Sequence, residues 1–321
     1  MISLGIIGTG SIAPHYIQAI HWLNQHRETE IKVVAAVNRT EASNERARNV
    51  LGIPKTYTSI HDMISAEKLD GIIVAVPFPS IYEVTMNLIP TRIPLLIEKP
   101  PGLTMEQTRQ LSQLARMHQA SVMVGFNRRF YSVVDQAKRL IEESGGLLGM
   151  RMDVFERYRL LRENGYPSEK LEKLFTANSI HCIDLIRYYC GELDAIHAFS
   201  NQSSEEPFNH RYAALIVAKR NIPITFQAYW HSMGNWNYEL YLRDGKIQFT
   251  NMEEALVSFR NKEPYRLTPN QADRDTKPGF AEQMMHFLNQ VILFSGNAGY
   301  EGEMSIHDAV NTMALVESLQ T

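Results

Sequence analysis

Leu4-Gly5-Ile6-Ile7-Gly8-Thr9-Gly10-Ser11-Ile12-Ala13 is the stretch on which the fold of this 321-residue chain turns. The apolar run Met1–Ile7 reads as a buried strand that breaks at Gly8 into a tight turn. A helix then starts near Ser11 and runs to about Gln25. Gly8 permits the turn, Gly10 has no side chain to block a pyrophosphate, and Ala13 is small enough to let helix pack on strand. The free N–H groups of the first helical turn and the positive end of the helix dipole suit an anion. Pro14 falls in that turn, where a missing N–H does no harm. A plain strand–turn–helix without a ligand is the alternative, and a second signal argues against it. Glu98-Lys99-Pro100 stands at the tip of a later apolar run, Ile93 to Ile97. A glycine turn after the first strand, with a lysine at the tip of another, predicts a dinucleotide site with chemistry beside it.

Working outward, the first third of the chain alternates strand and helix. Ile31–Val37, Gly71–Val76, Pro94–Glu98 and Ser121–Gly125 read as strands, and Glu41–Leu51, Ile81–Ile89 and Thr104–His118 as helices, the last capped by Thr104. Strands separated by helices of this length imply a parallel sheet with right-handed crossovers, a doubly wound fold. Its ligand lies at the carboxyl ends of the strands, where Gly8, Asn38, Pro77, Glu98, Lys99 and Asn127 fall. Downstream the pattern changes. Helices are expected over Asp135–Ser144 and Phe175–Cys190, and strands over Met150–Tyr158, Ala195–Ser200, Tyr212–Lys219, Ile224–His231, Glu239–Arg243 and Lys246–Thr250. Consecutive strands joined by turns such as Arg243-Asp244-Gly245-Lys246 predict an open, mainly antiparallel sheet in a second, α+β domain. Helices over Phe280–Phe294 and Met304–Leu319 close the chain, and Ser200–Asn209 and Glu263–Gly279 read as mobile loops. The expected division is residues 1–124 for dinucleotide binding and 125–321 for substrate binding and dimerisation, with the last helix, 304–319, packing on the first domain.

Composition narrows the function classes. A net charge of −3 gives no electrostatic case for nucleic acid or an anionic membrane. No apolar run approaches the roughly 20 residues of a membrane span. The N-terminus goes straight into a strand without a basic leader, so a cytoplasmic location is expected. Cys182 and Cys190, on one expected helix, stand about 12 Å apart, too far for a disulfide. Neither has metal-ligand spacing, and no metal is expected.

The order Gly8-Thr9-Gly10-Ser11-Ile12-Ala13, Val76-Pro77, Glu98-Lys99-Pro100, Gly125-Phe126-Asn127-Arg128-Arg129-Phe130 and His181-Cys182-Ile183-Asp184 resembles the Gfo/Idh/MocA family, the relatives of glucose–fructose oxidoreductase and inositol dehydrogenase. The closing helices, with Phe280 to Phe287 and Asp308-Ala309, look like that family's tail. The resemblance implies a Rossmann domain followed by an α/β domain whose open sheet often serves dimerisation, and hence a homodimer or homotetramer. It implies that Lys99 and His181 are catalytic and that Asp184, Asn127 and Arg129 bind substrate. Gly8, Gly10, Ser11, Ile12, Asn38, Arg39, Pro77, Glu98 and Lys99 are implied to hold the cofactor.

The chemistry is consistent with those positions. Oxidising a secondary alcohol needs a base for the hydroxyl proton and a cation near the developing alkoxide, while nicotinamide takes the hydride. A lysine at a strand tip suits the second task and a histidine the first. Asp184 follows His181 at i+3 on the same helix face. Two departures stand out: the acid usually four residues before the histidine is Ala177 here, followed by Asn178. The histidine often found shortly after the proline of the third strand motif is also absent, with Ile81 and Tyr82 in that region. At the end of the second strand, Val37-Asn38-Arg39-Thr40 offers no acid for a ribose hydroxyl until Glu41, whereas Arg39 suits a 2′-phosphate. NADP is therefore favoured, with NAD as the other option.

Arg157, Arg159 and Arg162, interleaved with Tyr158 and Tyr166, read either as a strip for a phosphate or carboxylate on a sugar or as a solvated face. The leading expectation is an NAD(P)-dependent oxidoreductase acting on a hydroxyl or carbonyl of a sugar, cyclitol or sugar derivative. The alternatives are nicotinamide-assisted elimination or epimerisation, and a non-catalytic regulator that senses NADP(H). Screening polyols, aldoses and sugar acids against both cofactors separates enzyme from sensor.

Overall fold

The computed structural model describes residues 1–202, 210–293 and 299–321. The expected helix end at Phe294 and the part of the expected loop from residue 203 to 209 lie outside the described residues. The chain divides into two compact units, Met1–Phe130 with Gln271–Asn311, and Tyr131–Asn270 with Thr312–Thr321. The expected cut at 124/125 thus differs in two ways: the chain leaves the first unit after Phe130, and it returns to that unit at Gln271. The closing helix is divided between the units rather than assigned to the first.

The first unit begins β1 (Ile2–Ile7), α1 (Ala13–His26), β2 (Ile31–Val37), α2 (Glu41–Leu51), β3 (Lys55–Tyr57) and α3 (Ile60–Ala66). It continues β4 (Gly71–Val74), α4 (Phe78–Leu88), β5 (Leu95–Ile97), α5 (Met105–His118) and β6 (Val122–Val124). The six strands form one parallel sheet in the order β3-β2-β1-β4-β5-β6, the doubly wound arrangement in which the chain order reverses beside β1. All residues of β4, β5 and β6 are buried, as they are when helices cover both faces of a parallel sheet. Thr40, Ser59 and Thr104 cap α2, α3 and α5 by accepting from Ser43, Asp62 and Gln107 N–H groups. At the β6 edge Met123 bridges Ser305, and Val124 N donates to Met304 O at 2.8 Å.

The second unit contains α6 (Ser132–Glu143), β7 (Leu147–Val154), α7 (Tyr158–Glu163), α8 (Ser168–Leu171) and α9 (Ile180–Cys190). The strands β8 (Leu193–Gln202), β9 (His210–Ala218), β10 (Ile222–Tyr229), β11 (Asn237–Leu242), β12 (Gly245–Thr250), β13 (Glu254–Phe259) and β14 (Tyr265–Arg266) follow. They make an eight-stranded sheet, β14-β13-β12-β11-β7-β10-β9-β8, antiparallel except where β10 lies parallel to β7. Here alternate residues are buried: Met150, Met152 and Val154 on β7, Tyr238, Leu240 and Leu242 on β11, Ile247 and Phe249 on β12. The other face carries the Arg151–Asp153 ion pair and, near the β8 edge, Phe199 at 62 % and Leu215 at 48 % exposure.

α10 (Gln271–Asp275) and α11 (Phe280–His286) belong to the first unit, and α12 (Ile306–Ser318) completes the chain. The segment 263–279, expected to be a loop, therefore contains β14 and α10. The single helix expected over Phe175–Cys190 begins instead with a π turn, Phe175–Ser179, before α9. Both cysteines are free and buried on α9 or its end. Among the described residues no helix is long and apolar enough to cross a membrane, and no His/Cys/Asp/Glu group could hold a metal ion.

Candidate active site

The glycine turn is fixed by backbone geometry on one side and left open on the other. Gly8 has φ +86°, and a Cβ there would stand 2.8 Å from Ala75 O, so only glycine fits without strain. Gly10 needs neither concession. Its φ is ordinary, and no described atom lies within 4 Å of where its Cβ would point. That empty approach is what a pyrophosphate needs. It lies just ahead of α1, whose N-cap residue Ile12 supplies no side-chain cap and whose first turn holds Pro14. Ser11 is exposed beside it, and Ala13 is fully buried against the sheet. The fit to a dinucleotide phosphate is therefore made of open space, uncapped N–H groups and a helix dipole.

Side chains brace this turn from β2 and α2. Asn38 Oδ1 accepts from both the N–H of Thr9 at 2.9 Å and its hydroxyl at 2.8 Å, and Asn38 Nδ2 donates to Asn44 Oδ1 at 3.1 Å. Arg46, on α2, donates to Thr9 O at 3.3 Å, a contact that no sequence motif announces. Arg39, next to Asn38, is exposed. Pro77 sits at the N-terminus of α4, after the tip of β4.

At the tip of β5, Glu98 is buried and Lys99 half-buried. Burial holds the Glu98 carboxyl above its ordinary pKa, opposed by the charge of Lys99 and by hydrogen bonds from the Tyr16 hydroxyl and the Lys99 N–H. The Tyr16 hydroxyl donates to Glu98 Oε1 at 2.7 Å, and burial together with that carboxylate pushes the Tyr16 phenol well up. Asn127 and Arg129, expected to bind substrate, have structural partners: Asn127 Nδ2 donates to Pro278 O at 3.2 Å. Arg129, itself buried, pairs with Asp308 at 3.2 Å.

In the second unit, His181 lies in the first turn of α9, buried, its ring centroid 6.3 Å from that of Trp236. Asp184 is buried one turn on and accepts from the Thr312 hydroxyl at 3.0 Å, which in turn accepts from Arg187 at 2.9 Å. Position 177 is an alanine, but a carboxylate reaches the same turn from elsewhere. Glu156, buried after β7, accepts from Asn178 Nδ2 at 2.8 Å and from the Ser179 hydroxyl at 2.6 Å. It lines a cavity of about 420 Å³ with Arg157, Asn178, Asn235, Trp236 and Asn251. Arg157 donates to Asn235 Oδ1 at 2.7 Å there. Sequence reading missed Glu156, because nothing marks a lone glutamate after a strand; the polar pair Asn178-Ser179 was the only local hint. The structure thus gathers Gly8, Gly10, Ser11, Ile12, Asn38, Arg39, Pro77, Glu98 and Lys99 in the first unit, at the carboxyl ends of its strands. His181 and Asp184 belong to the second.

Residues 2–126 match the family described as an oxidoreductase family with an NAD-binding Rossmann fold, GFO_IDH_MocA. Over that stretch the chain is similar to the Gfo/Idh/MocA family. It is 30 % identical over 147 residues to the rhizopine catabolism protein MocA of Rhizobium meliloti, covering 46 % of this chain and 43 % of that protein. To the inositol 2-dehydrogenase of Corynebacterium glutamicum it is 26 % identical over 193 residues, 59 % and 54 % of the two chains. The chain thus matches about half the length of these curated relatives. Its fold also resembles that of a levoglucosan dehydrogenase solved with NADH and levoglucosan, with a TM-score of 0.80 at 17 % identity, covering 99 % and 96 % of the two chains. A dehydrogenase from Chromobacterium violaceum gives the same TM-score, 0.80, over 99 % and 94 %. Those likenesses concern the fold alone and cover nearly the whole chain.

Proposed function

We propose that the chain is an NAD(P)-dependent dehydrogenase that interconverts a secondary alcohol and a ketone on a sugar, cyclitol or sugar derivative. The observation that carries this reading is the pairing, on one sheet edge, of the open glycine turn at Gly10 with Lys99 at the tip of β5. The names of the relatives, inositol 2-dehydrogenase among them, support the substrate class.

A bound nicotinamide supplies the acceptor or donor of hydride. Uncapped N–H groups at the start of α1 hold the pyrophosphate, and the Asn38 brace keeps the turn in shape to receive it. Lys99 offers its ammonium to the substrate oxygen, where negative charge grows as the hydroxyl proton leaves. His181 accepts that proton on its imidazole and returns it in the reverse direction. Glu156, Asn178 and Asn235 line the cavity beside Trp236 with groups that bond to hydroxyls, and a tryptophan face suits the apolar side of a sugar ring. Asp184, Asn127 and Arg129 act through the positions they hold, by way of Thr312, Pro278 and Asp308.

For the cofactor, the exposed Arg39 at the end of β2 and the absence of an acid at that tip support NADP over NAD. A homodimer or homotetramer formed through the sheet face bearing Phe199 and Leu215, in the cytoplasm, completes the proposal. The test is turnover of myo-inositol, levoglucosan and a panel of aldoses and sugar acids with each dinucleotide, read from nicotinamide absorbance. Reduction of either cofactor by one of these polyols supports the reading. Tight dinucleotide binding with no turnover across the panel favours the sensor instead. Light scattering after gel filtration reads the oligomer.

A further inference from the structure

A buried polar contact to Glu98, the neighbour of Lys99, involves two side chains that the mechanism above does not use. Tyr16, in the first turns of α1, and Gln283, on α11, are both fully buried. Gln283 Nε2 donates to the Tyr16 hydroxyl at 3.3 Å, and the hydroxyl donates to Glu98 Oε1 at 2.7 Å. The helix behind the glycine turn, α11 and the tip of β5 therefore meet at one phenol oxygen. The carboxylate at the end of this chain of donors takes a further hydrogen bond from the N–H of Lys99 and feels the charges of Lys99 and Lys277. His15, half-buried on α1, feels Lys277 as well, after the larger effect of its burial.

We infer that Tyr16 is a positioning residue for the reaction: its hydroxyl, oriented by Gln283, fixes the Glu98 carboxylate as the ionised counter-charge that holds Lys99 at the strand tip. The inference deepens the proposed function and rests on it for one point, that Lys99 is the working cation. A buried carboxyl without donors gives up its charge rather than its burial. Burial already pushes Glu98 up, and the Tyr16 hydrogen bond is among the contacts that hold it down. Loss of the hydroxyl leaves Glu98 protonated to a higher pH, and Lys99 then stands beside a neutral acid over a wider range.

A merely space-filling tyrosine predicts something different. Its ring packs edge-on against Phe280 at a centroid distance of 4.9 Å, and phenylalanine preserves that contact. Tyr16→Phe therefore separates the two roles. The readout is carbon NMR of protein labelled at glutamate Cδ and lysine Cε, titrated without cofactor or substrate, with signals assigned by their loss in Glu98→Gln and Lys99→Met. In the parent, the Lys99 signal shows an inflection at the Glu98 midpoint. In Tyr16→Phe both move to higher pH, by about one unit, the usual scale for removal of one hydrogen bond to a buried carboxylate. Gln283→Met, which weakens the same donor from one step back, shifts them in the same direction by less and serves if the phenylalanine variant does not fold. Unmoved midpoints in a folded variant, or a Lys99 signal blind to the Glu98 titration, overturn the inference. Lys99→Met that keeps full turnover overturns the proposed function instead and leaves these titrations standing, so the two failures are distinguishable.

Discussion

The two units build their candidate sites by different means. In the first, the backbone does most of the work: a glycine turn with open space at Gly10, an uncapped helix start and strand tips on one sheet edge. In the second, side chains converge from separate places, as when Glu156 bonds to Asn178 and Ser179 more than twenty residues later. Backbone-built sites leave a contiguous signature in sequence, whereas side-chain-built sites leave scattered residues with no spacing to read.

The largest effect is expected at the chemistry itself. Lys99→Met should bind NADP nearly as the parent does and lose turnover by about 10²–10⁴, the range of electrostatic and acid–base contributions. His181→Ala should lose less, because Ala177 leaves the imidazole without an acid four residues before it. Steady-state rates and fluorescence titration of the cofactor decide the matter, and a fully active Lys99→Met ends the proposed mechanism.

Next come the two glycines, which the structure tells apart. Gly10→Val should weaken dinucleotide binding by roughly 100-fold, about 2.7 kcal/mol, while stability stays within about 0.5 kcal/mol of the parent. Gly8→Ala should do the reverse, costing about 1–3 kcal/mol of stability from its left-handed backbone. Denaturant unfolding beside cofactor titration tests both, and equal behaviour of the two variants would erase the distinction drawn from φ and open space.

Smaller still is the effect at the β2 tip. Arg39→Ala should weaken NADP by about 1.5–3 kcal/mol, the worth of a hydrogen bond to a charged group, and leave NAD almost unchanged. Equal loss for both dinucleotides contradicts the assignment to a 2′-phosphate.

Much of the first unit was legible because each apolar run is punctuated by a glycine, a proline or a capping threonine. The three-residue β3, with Lys55 and Thr56 in it, was too short and polar to stand out. In the second unit, β13 escaped notice although Ala255 and Val257 alternate correctly. The turn before it bends through Asn251 and Met252 at φ 55° and 63°, without the glycine that usually advertises such a bend. At the candidate site, glycines and strand tips were readable as types, but the partners that set each side chain's task were not. Arg129 is paired with Asp308 and Asp184 with Thr312, far along the chain, and only the fold brings them together.

That return of the chain to its first unit bears on how the protein is made. The free edge of β6 is completed by Met304 and Ser305, which leave the ribosome more than half a chain length after Met123. Until then the nucleotide-binding sheet emerges with an open flank, and its helix α1 lacks the neighbour, α11, that supplies Gln283. A nascent chain or fragment ending near residue 130 is consequently an unfinished unit rather than a free-standing module, and a premature stop anywhere before Gln271 removes part of both halves at once.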